Sequence, residues 1–165
     1  MKILIATDGS EFSEAAVQKA CELISKPGET EVKLLSIYEV PILATEPLMT
    51  APDYYQTVCE NLKTLADGYV RKARTTIEDK VPGVKVTETV INGFPGQSII
   101  EIADVWRPDV IVVGSHGHGF WSRAMLGSVS DAVVHHAPCS VMVVRDNTIM
   151  AQNVPLESGD SAYSV

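Results

Sequence analysis

Val110-Ile111-Val112-Val113-Gly114-Ser115-His116-Gly117, running on to Leu126-Gly127-Ser128-Val129-Ser130, is the stretch whose reading decides the fold. A short apolar run ends in a glycine loop, and ten residues after Gly117 a Gly-Ser pair opens an amphipathic segment. The run reads as a strand covered on both faces, and the segment after the loop as a helix. In series these bring unpaired backbone N–H groups and the positive end of a helix dipole to one point, which suits phosphate. The spacing is Gly, two residues, Gly, nine residues, Gly-Ser. It is not the Walker loop, because no Lys precedes Ser128. Nor is it the dinucleotide fingerprint, which follows the first strand of a βαβ unit.

Outward from this unit, strand and helix signals alternate along the chain. Lys2–Ala6 is a near-continuous apolar run, broken by Asp8-Gly9-Ser10, with Ser10 or Ser13 available as an N-cap. Ala16, Ala20, Leu23 and Ile24 recur at helical spacing until Lys26-Pro27-Gly28 stops them. Val32–Tyr38 reads as a second strand, and Glu39 to Asp53, with three prolines, as a long loop. Tyr55, Val58, Leu62, Leu65, Tyr69, Ala73 and Ile77 form the stripe of the longest helix, which is expected to face the core along its length. Val84–Ile91 is a third strand, Asn92 to Gly96 a turn, and Ile99, Ile102, Ala103 and Trp106 mark the next helix, ended by Arg107-Pro108-Asp109. Val110–Val113, Ser128–His136 and Ser140–Arg145 supply strand, helix and strand. Residues 1–145 therefore read as one α/β domain, and 146–165, polar and without periodicity, as a mobile tail.

Five strands joined by helices imply right-handed crossovers and a single doubly wound parallel sheet with helices on both faces. Ligands of such sheets sit beyond the carboxyl ends of the strands, where the winding reverses. Asp8 and Gly114 end the first and fourth strands, so they become neighbours if the reversal lies there.

The totals narrow the function classes. The chain has 165 residues, 21 acidic against 13 basic, and a net charge of −8. That balance disfavours nucleic acid and anionic membranes as partners, since both need a basic face. The apolar start is too short for a signal peptide, and no run approaches a membrane span, so a cytoplasmic protein is expected. Cys21, Cys59 and Cys139 lack metal-ligand spacing and read as reduced, buried thiols.

Ile3-Leu4-Ile5-Ala6-Thr7-Asp8-Gly9-Ser10, the Gly114-Ser-His-Gly117…Gly127-Ser128 spacing and His135-His136-Ala137-Pro138-Cys139-Ser140-Val141 together resemble the universal stress protein family, in its ATP-binding branch, over residues 1–145. The resemblance implies strand order 3-2-1-4-5, ATP bound with Mg or Mn on its phosphates, homodimers through the Ser140–Val144 edge strand, at most weak hydrolysis, and a role in stress adaptation. Carried onto this chain, it puts Thr7 and Asp8 beside the adenosine and the backbone of Val40 at the adenine edge. Gly114, Ser115 and His116 then border the ribose, and Gly117 with His118 begins the phosphate cradle. Gly127, Ser128, Val129 and Ser130 close the cradle with backbone N–H and hydroxyl donors. Two departures stand out: His118 occupies a place where the family often has Arg or Lys, and Phe120-Trp121 is bulkier than the usual aliphatic run. Arg123 is then the one fixed cation in the loop.

Each residue also has a plainer reading. Asp8 could serve only as a helix-entry residue, and Gly114 and Gly117 only as turn residues. At Gly117 and Gly127 a Cβ is expected to strike phosphate or force an unfavourable φ. His116 and His118 as a metal pair lack a Cys or carboxylate companion. His135 and His136 suit the negative end of a helix dipole. An ATPase or phosphotransferase would need a base near the γ-phosphate, for which the loop offers only His116, His118 and Ser130. A third alternative is a dimeric module that binds no nucleotide. A two-component receiver is excluded, because Asp8 stands alone and the third strand ends in Asn92-Gly93.

Overall fold

The structure, a computed structural model, describes residues 1–40, 52–117 and 125–145. His118, Phe120, Trp121 and Arg123, most of the 39–53 loop and the 146–165 tail lie outside them. The elements alternate as β1 (Lys2–Ala6), α1 (Glu11–Leu23), β2 (Glu31–Tyr38), α2 (Pro52–Lys80), β3 (Lys85–Asn92), α3 (Pro95–Trp106), β4 (Val110–Gly114), α4 (Ser128–His136) and β5 (Ser140–Val144). All pairs are parallel, in the order β3-β2-β1-β4-β5. Ile5 of β1 is flanked by Leu34 on β2 and Val112 on β4, so the winding reverses between β1 and β4.

Alternation along the strands divides the core into two layers. Ile3, Ile5, Leu34 and Val112 pack with Ala16, Val17 and Ala20 of α1 and Val70, Ala73 and Ile77 of α2. Leu4, Leu35, Ile111 and Val113 face the other way, onto Ile99 and Ala103 of α3 and Val133 of α4. The central strands are covered on both sides, which is why their sequences are apolar without a polar face. No described helix is long and apolar enough to cross a membrane.

Several local expectations change. Ser10, not Ser13, caps α1: its side chain accepts from Ser13 N at 3.2 Å, and Ile24 is the C-cap rather than part of the helix. Pro52 and Asp53, read as loop, already belong to α2. Of the expected stripe only Ala73 and Ile77 are buried, and the core face of the second half is completed by Ala66 and Val70. Tyr55 and Leu65 are 48% and 54% exposed. With 29 residues α2 runs about 43 Å, against about 26 Å for the eight-residue β2 it packs on, so its first half has no sheet beneath it. All three cysteines are free thiols, but only Cys21 is buried; Cys59 and Cys139 are half-exposed.

Candidate functional site

The carboxyl ends of β1 and β4 open into a cavity of about 360 Å³. One wall is aliphatic, made by Ala6, Ile37, Pro95, Ile99 and Val113. The other is polar and comes from the segments after β1 and β4 and from the start of α4: Thr7, Asp8, Ser13, Gly114, His116, Gly117 and Gly127 to Ser130.

The β1 side is built by local hydrogen bonds. Thr7 N donates to Leu35 O at 2.9 Å, continuing the ladder one residue past β1. Ser13 Oγ donates to Ser10 O, which makes Thr7 Oγ1 the donor across the 3.2 Å contact to Ser13 Oγ. Asp8 Oδ1 accepts from Ser10 N at 3.0 Å and Ser10 Oγ at 2.6 Å. The plain helix-entry role is therefore real, and it is made through Oδ1. The other carboxylate oxygen, Oδ2, lies 2.6 Å from where a Cβ on Gly117 would stand. Asp8 and Gly114, the expected neighbours, both line the cavity, and the close approach of Asp8 is to Gly117. Gly9, at φ +76°, turns the chain there and receives the Tyr69 ring of α2 against its α-carbon.

The β4 side turns on Ser115. This residue is fully buried and does not line the cavity, unlike its expected place beside a ribose. Its N–H donates to Val144 O at 2.8 Å, and its carbonyl accepts from Gly127 N at 2.8 Å and from Ser130 Oγ at 3.0 Å. Its hydroxyl meets His116 Nδ1 at 3.0 Å. His116 is buried on the cavity rim, with its ring against Phe12 at 5.4 Å. Gly127 N is thus engaged within the protein, as is the hydroxyl hydrogen of Ser130, so neither is the free donor that the sequence suggests. Among the described residues, no acceptor meets the N–H groups of Ser128, Val129 and Ser130. They open α4, where no intrahelical acceptor exists, and the N-cap Gly127 has no side chain to accept from them.

Packing gives the three signature glycines a steric reason of its own, and the expected unfavourable φ is not part of it. None has a positive φ. A Cβ on Gly114 would sit 2.7–2.9 Å from Phe12 and Ser13 backbone atoms at the start of α1. One on Gly127 would press on Ser115 O at 3.2 Å and His116 Cα at 3.3 Å. Each glycine admits another part of the protein. Val40, two residues past β2, is not among the lining residues, whereas Ile37 is. Ala6, Ser13, Ile37, Pro95, Ile99 and Val113 were missed as site residues. The rule that ligands collect at strand carboxyl ends flags Ala6, Ile37 and Val113, and Pro95 as the entry to α3. His135 and His136 hold their Nδ1 atoms 2.9 and 3.0 Å from the carbonyls of Asp131 and Ala132 one turn back, away from the cavity lining.

A doubly wound α/β domain with a half-apolar, half-amide cavity at its topological switch point is the class that this fold and site define. Residues 1–145 match the Universal stress protein family, and the chain belongs to it. It is 32% identical over 144 residues to Universal stress protein MJ0531 of Methanocaldococcus jannaschii, covering 87% of this chain and 81% of that protein. Among solved structures it is similar to the hypothetical protein MJ0577, with a TM-score of 0.73 and 28% identity over 88% of this chain and 96% of that one. It also shares its fold with a universal stress protein family protein of Arabidopsis thaliana that has AMP bound, with a TM-score of 0.58 and 24% identity over 95% and 97% of the two chains.

Proposed function

We propose that this chain is an ATP-binding regulatory protein of stress adaptation. The observation that carries the reading is the cavity itself. Its lining joins the start of α4, where three N–H groups have no acceptor among the described residues, with the Asp8 carboxylate and a set of aliphatic side chains. In this reading the base lies on the Ile37, Ile99 and Val113 wall, Asp8 Oδ2 accepts from the adenosine, and the phosphates meet the α4 entrance. AMP in the Arabidopsis relative supports an adenine nucleotide as the ligand class. Among the described residues no three His, Cys, Asp or Glu side chains converge as a metal site, so Mg or Mn in this proposal rides on the phosphates. Binding rather than turnover is assigned because Asp8 is the one carboxylate among the described lining residues, and its Oδ1 already holds Ser10. Three free thiols suit a reducing, cytoplasmic setting.

Assembly through β5 is part of the same proposal. The two edges of the sheet differ in chemistry. On β3, Lys85 pairs with Glu31 at 2.6 Å and Glu88 with Arg74 at 3.6 Å, and such charges guard an edge. On β5, Val141, Met142, Val143 and Val144 are all half-exposed and carry no charge. A second copy paired there would cover them.

Mass spectrometry of nucleotide released from freshly purified, acid-quenched protein tests the ligand, with calorimetry of stripped protein against ATP and AMP, with and without Mg. Protein that retains no nucleotide and binds neither one is not a nucleotide protein. Light scattering at micromolar concentration should report a homodimer.

A further inference from the structure

The entrance to α4 lacks the device that normally steadies a helix N-terminus. Usually an N-cap Ser, Thr, Asp or Asn accepts a hydrogen bond from the N–H two or three residues on, fixing the turn and consuming that donor. Here the N-cap is Gly127, at φ −66° and ψ 154°, with no side chain to do so. The turn is held in the opposite sense. Ser130, third residue of the helix and 2% exposed, turns its hydroxyl back. Its Oγ lies 2.9 Å from Gly127 O and 3.0 Å from Ser115 O, both acceptors, so its single hydrogen is shared between them.

We propose that Ser130 is a positioning residue: its buried hydroxyl replaces the missing N-cap side chain, fixing the α4 entrance on Ser115 while leaving the N–H groups of Ser128, Val129 and Ser130 for the phosphates. This rests on the nucleotide reading above and changes one role within it, since the Ser130 side chain orients the cradle instead of touching the ligand. The division of labour is chemically economical. A capping acceptor would compete with an anion for the same N–H groups; a hydroxyl donor does not. Removing the hydroxyl should not unfold the domain, because both acceptors keep another partner. Ser115 O retains Gly127 N at 2.8 Å, and Gly127 O retains Asp131 N at 2.9 Å.

The test uses the full chain and the variants Ser130→Ala and Ser130→Thr, the latter keeping a hydroxyl. In ligand-free protein, amide exchange of Gly127, whose N–H lies on the braced contact, should speed up at least severalfold in Ser130→Ala and return toward wild type in Ser130→Thr. By calorimetry, Ser130→Ala should bind ATP and AMP about tenfold more weakly, lose no affinity for adenosine, and be rescued by Ser130→Thr. Unchanged Gly127 exchange in ligand-free Ser130→Ala overturns the brace, even if nucleotide affinity falls. An equal loss for adenosine overturns the link to phosphate. Wild-type protein that binds none of the three ligands overturns the functional reading and this inference with it, whereas wild-type binding with Ser130→Ala unaffected overturns this inference alone.

Discussion

Replacing Gly114 and Gly117 separately by alanine should divide the signature into a folding part and a binding part. At Gly114 the new methyl stands 2.7 Å from the Phe12 carbonyl carbon, 2.8 Å from its oxygen and 2.9 Å from Ser13 N. The closest of these is about 0.8 Å short of a ~3.5 Å carbon–carbon optimum, and no rotamer relieves it, because the neighbours are backbone. Either α1 lifts from β4 or the strand bends. Overpacking of this kind costs about 1–3 kcal/mol, or about 2–12 °C in Tm for a domain of this size. At Gly117 the methyl meets, among the described residues, only the Asp8 carboxylate, with Oδ2 at 2.6 Å, and a side chain can give way. Its other oxygen is held by Ser10 N and Oγ, so yielding turns the carboxylate out of the cavity or strains those bonds. Gly117→Ala should keep a Tm within about 2 °C of wild type yet weaken nucleotide at least ~tenfold, about 1.4 kcal/mol. Urea unfolding at constant m-value and calorimetry on the same preparations measure both. A Gly114→Ala protein within about 0.5 kcal/mol of wild type refutes the close-approach explanation. Unchanged nucleotide affinity in Gly117→Ala removes Asp8 from the site.

Arg107 ends α3 in the left-handed conformation, φ 54° and ψ 64°, where a side chain is strained; Arg107→Gly should raise stability by about 0.5–1 kcal/mol in chemical unfolding. The hydrogen bond from Lys85 holds the Glu31 carboxyl below the usual glutamate range, so that pair's contribution is present above about pH 4.3 and lost as pH falls through the depressed value. Wild type and Lys85→Met should therefore converge in acid unfolding curves, and a constant difference down to pH 2 would contradict the linkage. Burial pushes the Cys21 thiol up, so alkylation of native protein, mapped by mass spectrometry, should spare Cys21 until the chain is unfolded. Val143→Pro, which removes a donor from the β5 edge, should yield monomer or insoluble protein; an unaltered soluble dimer would move the interface elsewhere.

Much of this was legible without a structure because it depends on local periodicity. The doubly buried runs Lys2–Ala6 and Val110–Gly114, their alternation with amphipathic segments, and the glycine spacing between β4 and α4 are properties of neighbouring residues. With the parallel-sheet rules they lead to a doubly wound sheet with a site where Asp8 and Gly114 end the first and fourth strands, and the family resemblance supplies the order β3-β2-β1-β4-β5. The stripe on α2 misled because periodicity reports an apolar face but not whether a sheet lies beneath it, and only the relative lengths of α2 and β2 expose Tyr55 and Leu65.

Through-space relations were not legible. That Ser115 faces into the protein and ties Val144, Gly127 and Ser130 together, that Gly127 N and the Ser130 hydroxyl are already engaged, and that Ile37 and Pro95 join the wall while Val40 does not, all depend on segments far apart in the chain. The glycines make the contrast plain. Sequence alone determined where the chain requires glycine, since the spacing is a local pattern. Only the packed structure decided why, because a missing Cβ is defined by what approaches it: at Gly114 the backbone of α1, at Gly117 the carboxylate of Asp8, and at Gly127 the backbone of Ser115.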